Sequence, residues 1–188
     1  MNALLRDIST QFETERLLIR CPQAADGPAV HAAVVETLDA LRLWPASLPW
    51  AVHEPTLDAS EIFCRQGQIA YLARKAFPML LFHKADGRYV GGSGLHSIDW
   101  SVPSCEVGYW CRASCQGQGL LTEAVQGITA FAASVLGMRR ITSLADAENR
   151  PSRRVAERAG YQLEGILRHE RKAPDGTLRN TCLYAWVC

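Results

Sequence analysis

The chain has 188 residues, 48% of them hydrophobic and 21% charged, with 20 Lys+Arg against 19 Asp+Glu and a formal net charge of +1. That length suits a single domain over residues 1–188, and the balanced charge gives no drive toward nucleic acid or an anionic membrane. No apolar run is long enough to span a bilayer, and the seven scattered cysteines show neither a CxxC nor zinc-ligand spacing, so they read as reduced thiols in a cytoplasmic protein that holds no metal.

In chain order, "RLLIRCP" (Arg16 to Pro22) is a short strand stopped by its proline. "DGPAVHAAVVETLDAL" opens at a cap-capable Asp26, has Pro28 in its first turn and continues as a helix. "LWPASLPWAVHEP" carries Trp44, Trp50 and three prolines and is expected as an ordered loop. A second helix is expected from about Thr56 to Ala76, with a break near Gly67. "FPMLLFHK" and "RYVGGSGLHSIDW" flank Asp86-Gly87, a strong hairpin signal, and "SCEVGYWC" is the next strand.

A glycine loop follows, "RASCQGQG", and then Leu121, Ala124, Val125, Ile128, Phe131, Ala132 and Val135 fall at three- and four-residue steps, the buried face of a helix that Gly137 ends. "RRITSLAD" is a strand. "NRPSRRVAERAG" is a short helix with Asn149 or Arg150 as N-cap, Pro151 in the first turn and Gly160 past its end. "YQLEGILRHERK", the turn "APDG" and "TLRNTCLYAWV" form a closing hairpin. The order is one strand, two helices, three strands, helix, strand, helix, two strands.

Gly117 and Gly119 sit between a strand and a helix. Backbone N–H groups at a helix start lack partners and favour negative charge, and glycines let an anion approach them closely. A phosphate ligand and a plain glycine turn both fit these two residues. The common nucleotide loops fit poorly. A Walker A loop needs Lys-Ser/Thr where Leu120-Leu121 stand, and a dinucleotide fingerprint needs a glycine at Thr122.

"EVGYWCRASCQGQGLLTEAV" resembles the strand, pyrophosphate loop and helix of motif A in the GNAT N-acetyltransferases, most closely the branch that acetylates the N-termini of ribosomal proteins (RimJ and RimL). The likeness covers nearly the whole chain. "FETERLLIRCP" is similar to that branch's opening strand, "VGGSGLHSID" to its third strand, "DAENRPSRRVAERAGYQLEGILR" to its motif B and "DGTLRNTCLYAWV" to its closing strand. The resemblance implies an α/β fold with a mixed, mostly antiparallel seven-stranded sheet, splayed between strands four and five, and about four helices. It also implies acetyl transfer from acetyl-CoA to a primary amine by direct attack in a ternary complex. The implied acceptor is a protein N-terminus such as that of a ribosomal protein. A small amine (amino acid, polyamine or drug) and a non-catalytic acyl-CoA-binding module are the alternatives, and a homodimer is compatible with the family.

By the same resemblance, Gln116, Gly117, Gln118, Gly119, Leu120 and Leu121 hold the CoA pyrophosphate, with Asn149 as a further contact. Asn149 is equally an N-cap. The pantetheine arm would pair with the splayed strand edge at Val107, Tyr109 and Trp110. Two positions depart from the wider family: Ser114 stands where Gln or Arg often begins the loop, and Ala156 where many members carry a tyrosine for the departing thiolate. Ser152, which the RimJ/RimL branch shares, could serve that sulfur or cap its helix; Tyr161 is a further donor or a core residue.

Glu106 and His96 are candidate bases, with Glu170 a rival. Strand alternation puts Glu106, Gly108 and Trp110 on one face and Cys105, Val107 and Tyr109 on the other. An α-amine of pKa ~8 is about one-tenth neutral at pH 7, whereas a lysine near ~10.4 is neutral only about four times in ten thousand. A protein N-terminus therefore asks much less of a base. Trp44 and Trp50 are candidates to wall the acceptor pocket, or simply loop anchors.

Overall fold

The computed structural model describes residues 3–188. Among the described residues eight strands form one sheet in the order β1-β2-β3-β4-β5-β6-β8-β7: β1 Gln11–Glu13, β2 Leu17–Arg20, β3 Phe77–His83, β4 Tyr89–Asp99, β5 Ser104–Cys111, β6 Arg140–Asp146, β7 Gln162–Lys172 and β8 Leu178–Val187. The helices are α1 Gly27–Arg42, α2 Leu57–Leu72, α3 Leu120–Phe131 and α4 Arg150–Arg158. Eight strands replace the expected seven because Gln11–Glu13 pairs antiparallel with Leu18–Arg20. Three residues carry too little alternation to announce a strand. The splay consequently falls between β5 and β6 in this numbering.

Neighbouring residues in the central strands point to opposite faces. Leu80 and Tyr89 pack with Val30, Ala33, Val34 and Cys64 of α1 and α2. Leu81 and Val90 join Ala124, Val125 and Ile128 of α3 and Ala156 of α4 in the larger core. Each fully buried aliphatic side chain there is worth roughly 1.5–3 kcal/mol.

Asp26 precedes α1 without capping it. Its carboxylate accepts from the Arg20 guanidinium and from Gln23 N–H. The start of α1 is instead held by Glu61 of α2, which accepts from the N–H groups of Ala25 and Gly27. Gly67 does not break α2. It is buried where a Cβ would stand 3.2 Å from both Pro22 and Pro78, so its size lets the helix lie against β3. α2 ends at Leu72 rather than Ala76, with Arg74 in a left-handed conformation (φ 58°). The Trp44–Trp50 segment is ordered as expected and contains a 3-10 turn at Pro49–Val52. α3 passes through a π turn over Ala132–Leu136 and stops at Gly137 (φ 75°).

Every strand pairing is antiparallel except β5 with β6, which is parallel and holds for only three positions, Ser104↔Arg140 to Glu106↔Thr142. Beyond Glu106 the strands part. β5 runs on to Cys111 paired only with β4, while β6 runs on to Asp146 paired with β8. The cleft between them opens toward the glycine loop.

Candidate functional site

The loop leaving β5 is anchored on α1. Glu36 accepts from the Ser114 N–H at 2.8 Å and from the Arg112 guanidinium, and Thr37 Oγ1 accepts from the Ala113 N–H at 3.0 Å. Ser114 and Arg112 hold the Glu36 carboxyl at about 2, well below its ordinary value. Ser114, which stands where a side-chain donor to the ligand was expected, thus gives its N–H to α1, while its carbonyl accepts from Gln118 Nε2 at 3.1 Å.

Past that anchor, Gly117 and Gly119 both adopt left-handed conformations, with φ of 73° and 75°, and Gly119 is the N-cap residue of α3. No atom stands within 4 Å of the position a Cβ would take on Gly117. Among the described residues no acceptor takes the N–H groups of Gly117, Gln118 or Gly119. Gln116, Gly117, Gln118 and Gly119 are exposed, whereas Leu120 is buried and Leu121 packs on the core. The glycine and helix-start backbone therefore forms an open cradle of free N–H groups, a fit for phosphate oxygens. The two leucines fasten the helix behind it rather than offering side chains to a ligand.

Across the cleft, Asn149 caps α4, its Oδ1 accepting from Ser152 N–H at 3.1 Å. Tyr109 bridges the opening. Its hydroxyl donates to the Ser152 carbonyl at 3.0 Å and accepts from Ser143 Oγ at 3.4 Å. Burial of this phenol raises its pKa. The small Ala156 is fully buried in the core cluster against which Tyr109 packs. Val107 is 1% exposed and joins the α3 core, so only its backbone is open to the cleft. Tyr161 is a core residue, its hydroxyl bonded to Thr129 Oγ1 at 2.7 Å.

On the opposite face of β5, His96 Nε2 and Glu106 Oε1 lie 3.3 Å apart at the vertex of the splay. Gly108 makes room for the imidazole, whose Cε1 is 3.3 Å from where a Cβ would be. Two of the three sequence-derived base candidates are therefore brought together. Glu170 lies on β7, accepting from Thr181 Oγ1 at 2.6 Å and paired with Arg171 at 3.1 Å. Trp110 points to the His96 face, within 6.1 Å of Trp50 and 6.0 Å of Tyr89 (ring centroids). Trp50 is 45% exposed. Trp44 makes no ring contact among the described residues and instead anchors the loop, its carbonyl accepting from Ser47 and Leu48 N–H.

Three residues that sequence reasoning passed over join the site: Glu36, Arg16 and Glu123. Glu123, in the first turn of α3, accepts from Thr14 Oγ1, from Arg16 N–H at 2.7 Å and from Arg16 Nε at 2.6 Å. The signal available was that Arg16 and Glu123 both lie inside stretches with family likeness.

Residues 16–162 match the family model described as an acetyltransferase (GNAT) domain. The ribosomal-protein-serine acetyltransferase of Escherichia coli (strain K12) is 31% identical over 103 residues, 55% of this chain and 57% of that protein. The chain spans about half the length of the curated relatives it matches. Among solved structures, RimL, a ribosomal L7/L12 alpha-N-protein acetyltransferase in complex with coenzyme A, has a TM-score of 0.84 at 22% identity, covering 93% of this chain and 95% of that one. The microcin C7 self-immunity acetyltransferase MccE, solved with acetyl-CoA and AMP, has a TM-score of 0.81 at 21% identity, covering 93% and 94%.

Proposed function

The chain belongs to the GNAT acetyltransferase family, and from that membership we propose that it transfers an acetyl group from acetyl-CoA to the N-terminal α-amine of a protein. The observation that carries the reading is the left-handed Gly117/Gly119 cradle opening directly onto the β5–β6 splay. One gap thus offers N–H donors for a pyrophosphate at one end and an unpaired strand edge for amide groups along its length. The names of the E. coli relative and of RimL support a ribosomal-protein N-terminus as acceptor class.

When bound, acetyl-CoA supplies an acyl carbon already activated as a thioester. The chain's own residues then have three tasks. The N–H groups of Gly117, Gln118 and Gly119 hold the phosphates. The free backbone of Val107, Tyr109 and Trp110 orients the acyl arm, and the N–H groups along that edge stabilise charge on the carbonyl oxygen. Glu106, directly or through His96, takes the proton from the incoming amine at the splay vertex. Ser152, its backbone fixed by Asn149 and Tyr109 at the other wall, offers its hydroxyl as a hydrogen bond to the departing thiolate, which takes its proton from solvent.

Release of free CoA thiol, followed with peptides of varied N-terminus and with amino acids, polyamines and lysine side-chain analogues, tests this. Turnover with peptide α-amines is expected. Turnover only with the small amines would refute the acceptor class, and CoA binding without turnover on any amine would refute the enzymatic reading.

A further inference from the structure

We propose that Arg16 is a positioning residue that aims the Gly119 N–H into the phosphate cradle. The inference rests on the cradle reading above and adds a residue to it. Arg16 precedes β2, far from the loop in sequence, yet its Nη1 donates to the Gln118 carbonyl at 3.0 Å. In a trans peptide the C=O and the following N–H point in opposite directions. Holding the Gln118 carbonyl on the Arg16 side therefore turns the Gly119 N–H to the other side, where no acceptor among the described residues meets it. The Arg16 Nη2 lies 3.6 Å from the Cβ position of Gly119, so the guanidinium backs the very residue whose left-handed conformation shapes the loop.

The guanidinium is itself fixed. Its Nε donates to Glu123 Oε2, and Glu123 Oε1 accepts from both the Arg16 N–H and Thr14 Oγ1. Glu123 is 16% exposed and rides on the first turn of α3, so Arg16 joins the loop carbonyl to the helix that the loop starts. Charge adds a second reason for an arginine. An unpaired carboxylate one turn into α3 would repel an anion bound at the helix start, and the Arg16 guanidinium cancels it.

The test is calorimetric titration of CoA into the wild-type protein, Arg16→Ala and Arg16→Lys, with amide hydrogen exchange of residues 116–121 in the ligand-free proteins. Arg16→Ala is expected to weaken CoA binding about tenfold and to speed loop exchange, consistent with losing hydrogen bonds to a charged group. Arg16→Lys, which keeps the charge but not the fork, should recover part of the affinity. If Arg16→Ala does not fold, Arg16→Lys against wild type carries the comparison. In turnover the loss should appear as a raised KM for acetyl-CoA with kcat changed less than about twofold. Unchanged affinity, or loop exchange identical to wild type, would overturn the assignment. Failure of the wild type to bind CoA would instead sink the cradle reading, leaving the exchange data to judge the role of Arg16 in the loop.

Discussion

At the residue scale, Gly119 fails or succeeds through conformation rather than space. The nearest atom to its Cβ position is 3.6 Å away, an ordinary contact, but its φ of 75° is a region that β-branched side chains avoid. Gly119→Val should therefore cost about 1–2 kcal/mol in the loop as built. If the loop relaxes to avoid that strain, the cradle is lost and CoA binding weakens at least ~tenfold. Equilibrium binding checks it. Tyr109 is a second case. Its hydroxyl ties β5 to Ser152 of α4 and to Ser143 of β6. Tyr109→Phe leaves those partners unanswered in a buried place and should lower unfolding free energy by about 1–2 kcal/mol in a denaturant titration. Ser152→Ala tests the thiolate role: kcat should fall about tenfold or more while the Kd for CoA stays within about twofold. A matching loss in both would mean that the residue serves only the structure of the α4 start.

These residues differ in how legible they were. Gly117, Gly119, Asn149 and Ser152 lie close together in short motifs, and local chemistry suffices to flag them. Arg16 and Glu123 are 107 positions apart, and nothing in either segment alone announces that they meet. Ser114 was visible as a departure, but its use depends on α1 arriving beside it with Glu36. Tyr109 was flagged for its backbone; the work of its hydroxyl came from the cleft geometry.

At the scale of elements, apolar periodicity announced α3, a first-turn proline announced α1, and apolar runs between turn signals announced the long strands. These signals mislaid what tertiary contact decides. A three-residue strand exists only because β2 is there to pair with it, and Gly67 sits inside an unbroken helix because two prolines need its missing side chain. The junction of α1 with the glycine loop makes a pH prediction. The Glu36 carboxyl is held at about 2 against an ordinary 4.5 by Ser114 and Arg112. A depressed carboxylate stabilises the folded state fully above about pH 4.5, and that contribution is lost as pH falls toward about 2. Glu36→Gln should accordingly lower Tm at pH 7, with the gap from wild type closing as the pH is taken down through that window. A gap independent of pH would show that the carboxylate charge is not what anchors the loop.

At the scale of the whole molecule, a sheet covered by α1 and α2 on one face and α3 and α4 on the other is interrupted at one place, where β5 and β6 keep only three paired positions. Everything assigned a role lies around that interruption: the cradle at its mouth, Tyr109 and Ser152 on one wall, His96 and Glu106 at its vertex. The near-zero net charge supplies no long-range attraction for an acidic or basic partner, so under the proposed function acceptor choice would rest on contacts at the opening. The proposed α-amine acceptor asks less of a base than a lysine would, which is the chemical ground for proposing it. The sharpest test gives the protein both amines at once. A peptide with a free N-terminus and an internal lysine is incubated with acetyl-CoA, and tandem mass spectrometry locates the added acetyl group. Acetylation of the α-amine with the lysine left free is the predicted result; acetyl on the lysine alone, or on neither amine, would contradict the account.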